Sequence, residues 1–271
     1  MEPTPKKLRA FALTEVTAFL LVFLILAWYF QALFNGYYGW FSKTLMIGLS
    51  LAGIFIHKNI RGYGLVPKSL KFSLKWSLYV CLLFATVSSV FITVAFATKS
   101  IAPIDLGTLA IDALWFFVFV GFAEELFFRG YVQSRLNEVF THKYGSILGV
   151  KYQWSQGTLI TGVFLFGLPH LLTGVNPFTG YMYISPALVG ITGLACFLGV
   201  VFGILREKTG GVILPAVLHG FIDYSVFSIG KVVGLMLSNA VAFTSLLLFF
   251  VFMFHRILSG DLATVSRRTN T

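Results

Sequence analysis

The sequence predicts an all-α, polytopic membrane helix bundle of about eight transmembrane helices with both termini cytoplasmic. Three observations predict it. Hydrophobic residues make up 57% of the 271 positions and charged residues only 11%, where soluble domains run at roughly 45–50% and about 25%. The apolar residues gather into eight runs near the length that crosses ~30 Å of hydrocarbon. Lys and Arg fall heavily on one side when those runs are taken to alternate across a bilayer.

The first run, roughly residues 14–34, follows the basic opening MEPTPKKLRA. It is long and has no small-residue cleavage site, so it reads as a retained span rather than a signal peptide. The second, roughly 42–56, is short and needs less apolar flanks or a place inside the bundle. The third and fourth cover roughly 72–97 and 108–128, and the fifth, roughly 157–172, is again short. The sixth, roughly 184–204, holds Gly199 and Gly203 at the G-x-x-x-G spacing that permits close helix contact. The seventh and eighth cover roughly 212–229 and 232–255. Two segments between spans, HKNIRGYGLVPKSLKFSLKW and QSRLNEVFTHKYGSILGVKYQWSQG, mix aromatics with cations and suit a cytoplasmic interface. No soluble domain, repeat or low-complexity tract interrupts the pattern, so residues 1–271 read as a single integral membrane domain. Cys81 and Cys196 lie in apolar runs and read as small core residues.

With the N-terminus inside, the inner side receives Lys6, Lys7, Arg9, Lys58, Arg61, Lys68, Lys71, Lys75, Arg129, Arg135, Lys143, Lys151, Arg206, Lys208, Arg256, Arg267 and Arg268. The outer side receives Lys43, Lys99 and Lys231. A ratio of 17 to 3 satisfies the positive-inside rule and accounts for the net charge of +10. No nucleic-acid partner is needed. The environment implied is the lipid bilayer, the inner (plasma) membrane if the source is prokaryotic.

A charge at the bilayer centre costs at least ~2.5–3.5 kcal/mol, so ionisable groups within spans are functional candidates. They are Glu124, Glu125 and Arg129 in the fourth span, His170 in the fifth, and His219 and Asp223 in the seventh. Asp112 and Glu15 lie near span edges and are expected to face headgroups or water. Glu125 and Arg129 are i and i+4 and can pair across one turn. Glu124 is rotated about 100° from Glu125 and aligns with Phe128, which leaves it a carboxylate without a local partner in an apolar site. His170 ends FGLPH with Phe166 one turn before it, and His219 and Asp223 share one helical face. Spacing alone leaves structural pairing and chemistry both open for these two. Neither H-E-x-x-H, G-x-S-x-G nor G-x-x-x-x-G-K-[ST] occurs, which removes the helical zinc-protease, serine-hydrolase and phosphate-loop layouts.

Taken together, E-E-x-x-x-R (Glu124, Glu125, Arg129), F-x-x-x-H (Phe166, His170) and H-x-x-x-D (His219, Asp223) resemble the CAAX prenyl protease 2 family. This is the Rce1-type, or CPBP, group of glutamate-dependent intramembrane endopeptidases. FFRGYVQSRL and ILREKTGGVILPAVLHGFID extend the likeness, which covers about residues 108–228. The resemblance implies a protease that cuts a prenylated or other membrane-associated protein or peptide without a cofactor. It implies that Glu124 and His170 activate water, that His219 and Asp223 stabilise the oxyanion, and that Glu125 with Arg129 holds the site's shape. Many members carry Asn where this chain has Asp223. An ionised Asp accepts rather than donates, so Asp223 either orients His219 or acts as the neutral acid. Zinc held by Glu124, His170, His219 and Asp223 is a further mechanistic option. Competing readings are a non-catalytic immunity or scaffold protein on the same bundle, and a proton-coupled transporter using these residues as a relay.

The proposed set carries a geometric condition. From Gly157 to His170 a helix rises about 20 Å, so His170 and Glu124 reach a common depth only if the fourth helix continues well past Arg129, to about residue 140, and the fifth starts below the membrane surface.

Overall fold

The computed structural model describes residues 4–34, 38–103 and 105–261. Arg267 and Arg268 of the charge tally lie outside the described residues. The chain is 79% helical, and among the described residues eight helices are long and apolar enough to cross a membrane. They are α1 (Pro5–Phe34), α2 (Tyr38–Ile56), α3 (Leu70–Ala97), α4 (Leu106–Val139), α5 (Gln156–Gly174), α6 (Pro186–Thr209), α7 (Ile213–Val233) and α8 (Leu235–Ser259). Each matches one predicted run. The fold is the multi-pass helical one expected, and α4 meets the length condition by ending at Val139.

The helices divide between two compact units, Met1–Val66 with Ala123–Val212 and Pro67–Phe122 with Ile213–Thr271. In the first unit, paired contacts set the running direction of every helix. Glu15 meets Arg135, Phe19 meets Tyr131 and Phe23 meets Phe127, so α1 steps antiparallel to α4 one turn at a time. Lys43 meets Glu124 and Gly53 approaches Tyr131, so α2 runs in the direction of α4. Phe128 meets Phe166 and Gln133 meets Thr158, which makes α5 antiparallel to α4, while Arg129 meets Gly199 and Gln133 meets Gly203, which makes α6 parallel to it. These directions are those that alternating spans require.

The α5–α6 contact depends on missing side chains. A Cβ on Gly162 would lie 2.6 Å from the Val200 nitrogen, and one on Gly199 would strike the Gly162 carbonyl oxygen. The backbones therefore touch along Gly162 and Gly199, as small residues allow between membrane helices.

In the second unit, α4 and α7 are antiparallel, with Phe117 edge-on to Phe221 at 4.7 Å and Tyr224 donating to the Leu109 carbonyl at 3.4 Å. α3 lies along α7 through Phe84 and Phe221 at 5.4 Å and through Ala95, Ile229, Val232 and Val233.

Two segments depart from the sequence reading. The region after α4, expected as an interfacial stretch, contains the hairpin β1 (Lys143–Ile147) and β2 (Val150–Ser155), turning at Leu148 and Gly149, both with positive φ. Val150 and Trp154 are buried while Lys151 and Gln153 alternate outward. A second hairpin, β3 (Val175–Asn176) and β4 (Tyr181–Met182), links α5 to α6.

α4 is also not a uniform α-helix. Trp115–Phe122 and Leu126–Val132 are wide π-type turns, separated by the α turn Ala123–Glu125. The Gln133 N–H reaches back five residues to the Phe128 oxygen, and the Ser134 hydroxyl donates to the Arg129 oxygen at 3.3 Å.

Gly162→Leu is expected to lower the thermal unfolding temperature of the detergent-solubilised protein by several degrees, with a cost of at least about 1–3 kcal/mol. Gly193→Leu, where an added Cβ meets nothing within 4 Å, is expected to leave the temperature unchanged.

Candidate active site

α4 carries three of the six singled-out residues, near the middle of its 34 positions rather than late in the span. Glu125 and Arg129 are both fully buried and joined at 3.0 Å between Oε1 and Nη1. Arg129 Nη2 donates to the Gly199 carbonyl at 3.0 Å, and its guanidinium lies 4.0 Å from the Phe166 ring centroid and 5.3 Å from that of Phe202. The pair expected from i, i+4 spacing is thus present. The arginine also ties α4 to α5 and α6 by a charge-assisted hydrogen bond and by cation–π contact. One turn further, Gln133 Nε2 repeats the link by donating to Thr158 at 2.8 Å and to the Gly203 carbonyl at 3.0 Å.

Phe128 and Phe166 meet edge to face at 5.0 Å. Glu124 precedes Phe128 by one turn on α4 and His170 follows Phe166 by one turn on α5. Because these helices are antiparallel, both residues step to the same side of that contact. Pro169 supplies no N–H to the helix, and α5 tightens to 3₁₀ geometry over Leu168–Gly174. The His170 Nδ1–H donates to the Phe166 carbonyl at 2.8 Å. In the neutral ring this bond leaves the basic lone pair on Nε2.

Glu124 corrects the sequence reading. It has a partner, Lys43 of α2, whose ammonium contacts Oε1. The two side chains are 16% and 13% exposed. Lys43, placed on the outer side in the charge tally, lies within α2. Arg129, Arg135 and Arg206, assigned to the inner side, are likewise buried within helices.

In the second unit, His219 is buried and its Nε2 lies 3.5 Å from Asp223 Oδ2, on the shared face that the spacing requires. Asp112, expected among headgroups, takes the Lys231 ammonium at 2.6 Å.

Residues 106–225 match the family model described as type II CAAX prenyl endopeptidase Rce1-like. The matched segment is 120 of the 271 residues, and over it the chain is similar to that family. No curated protein and no solved structure matches it. The match supports a CAAX-type intramembrane protease at the level of the family, and the eight apolar helices fit a multi-pass integral membrane protein.

The Rce1-like domain begins at the start of α4 and ends in α7, leaving α1, α2, α3 and α8 outside. Two of the residues that sequence reasoning missed come from those outer helices. Lys43 is one. The other is Glu15 of α1, expected at an interface, which accepts from Tyr131 Oη at 2.8 Å and Arg135 Nε at 2.8 Å and lies 2.6 Å from His57 Nε2. The only available signal was an isolated charge inside an apolar run. Among the described residues, no three His, Cys, Asp or Glu side chains are grouped so as to hold a metal ion.

Removing one member of a buried pair strands the other. Arg129→Met is expected to cost about 3–5 kcal/mol in unfolding titrations. The double variant Glu125→Leu/Arg129→Met is expected to recover part of that loss.

Proposed function

We propose that the protein is an endopeptidase that hydrolyses a peptide bond near the C-terminus of a prenylated, CAAX-type protein or another membrane-associated protein or peptide. Glu124 and His170 activate the attacking water. The observation that carries this reading is the Phe128–Phe166 contact, from which Glu124 and His170 each lie one turn to the same side. The His170 bond to the Phe166 carbonyl supports it by leaving Nε2 as the basic nitrogen.

In the proposed reaction the water oxygen bonds to the scissile carbonyl carbon as its proton passes to the Glu124 carboxylate. His170 Nε2 accepts the water's other hydrogen bond and fixes its orientation. The family resemblance assigns oxyanion stabilisation to His219 and Asp223, and within their own unit His219 Nε2 lies 3.5 Å from Asp223 Oδ2, a separation at which Asp223 can orient the ring. Collapse of the tetrahedral intermediate breaks the C–N bond, and Glu124 returns the proton to the leaving amine. Glu125 takes no proton in this scheme, because it neutralises Arg129.

Purified protein in liposomes is to be tested against farnesylated, geranylgeranylated and unmodified C-terminal peptides, with Glu124→Gln and His170→Ala alongside. At least one peptide is expected to be cut, with the rate falling about 10²–10⁴-fold in Glu124→Gln. Cleavage of none, or a fully active Glu124→Gln, overturns the reading.

A further inference from the structure

The motif set does not include Lys43, which lies on α2, outside the matched family segment. Its ammonium nonetheless contacts Glu124 Oε1. On α2 it continues the face formed by Met46, Ser50 and Ile54, all buried, so the chain points it into the bundle. α2 runs parallel to α4 and is held there again two to three turns further on, where Gly53 leaves room for the Tyr131 ring. A lysine serving only as a headgroup anchor would direct its ammonium out of the bundle. This one spends it on a carboxylate 81 residues later in the chain.

Resting on the catalytic reading of Glu124, we propose that Lys43 is a positioning residue for the proteolytic reaction. Its ammonium holds the Glu124 carboxylate ionised and in one orientation, ready to take a proton from water. The physical need is direct. A lone carboxylate in an apolar bundle is neutralised by taking up a proton, and a protonated acid is no base. A carboxylate free to rotate also loses the alignment that makes proton transfer efficient. Arg129 is joined to Glu125 at 3.0 Å and attracts Glu124 as well, while Lys43 is in direct contact with the Glu124 carboxylate. The Rce1-like domain thus carries the base, and a helix outside it sets the state of that base.

The test compares Lys43→Gln, Lys43→Met and Lys43→Arg with Glu124→Gln, in liposomes, on a peptide that the parent protein cuts. Lys43→Gln and Lys43→Met are expected to lower kcat by about 10–100-fold with KM within about threefold. Lys43→Arg, which keeps the charge, is expected to stay within about threefold of the parent. In Lys43→Ala, added methylammonium is expected to restore part of kcat in proportion to its concentration, which a packing role would not produce. Where Lys43→Met fails to fold, Lys43→Gln gives the reading. An inactive Glu124→Gln beside a fully active Lys43→Gln overturns the role of Lys43 alone. An active Glu124→Gln overturns the catalytic reading and this inference with it. A kcat loss in Lys43→Gln that Lys43→Arg shares, with no methylammonium rescue of Lys43→Ala, also overturns it.

Discussion

A guanidinium in a hydrocarbon-like interior needs a counter-charge, hydrogen-bond acceptors and polarisable surfaces all at once, because water supplies none of them. Arg129 finds these on three helices. Glu125 supplies the charge, the Gly199 carbonyl accepts an N–H, and Phe166 and Phe202 offer ring faces. Each partner is specified by a local property. The acid must be one turn earlier on α4, α6 must come close enough to expose a backbone oxygen, and α5 must present an aromatic ring. The glycines at 162 and 199 let α5 and α6 approach closely enough for both helices to serve one arginine. Gln133 repeats the arrangement with neutral groups, so α4 is bonded to its neighbours at two successive levels.

The parts that could be read from the sequence are those that depend on neighbours along the chain. Hydropathy runs gave all eight helices, and the Glu125–Arg129 and His219–Asp223 pairs followed from i, i+4 spacing. The extension of α4 to Val139 followed from the need to bring His170 and Glu124 to one depth. What escaped were contacts between residues far apart in the chain, such as Lys43 with Glu124 and Glu15 with Arg135. A charge near a span end has two destinations, headgroup or bundle, and its own neighbours do not decide between them. The hairpin at 143–155 escaped for another reason. Its turn is Leu148–Gly149, not one of the asparagine or aspartate pairs that announce a two-residue turn.

The division between the Rce1-like segment and its surroundings has a physical meaning. Glu124, Glu125, Arg129 and His170 occupy α4 and α5, inside the matched residues. The groups that anchor the polar residues of α4 come partly from α1 and α2. Glu15 gathers Tyr131, Arg135 and His57 at the Val139 end of α4, and Lys43 meets the same helix nearer its middle. Long apolar helices outside the matched segment therefore contribute specific polar contacts as well as lipid-facing surface.

The wide turn at Leu126–Val132 gives α4 an unusual sensitivity. A π-type turn holds one residue more than the α turn it replaces, so the residues beyond it are already displaced around the axis. Gln133 and Arg135 meet their partners in that displaced register. Substitutions along this segment alter the contacts of one residue at a time. Loss or gain of a single residue between Glu125 and Gln133 would instead turn every later side chain by about 100°. It would separate Gln133 from Gly203 and Arg135 from Glu15 together, while the acidic pair upstream kept its place. The reading frame of this helix, more than the identity of any one of its apolar residues, is what the bundle constrains.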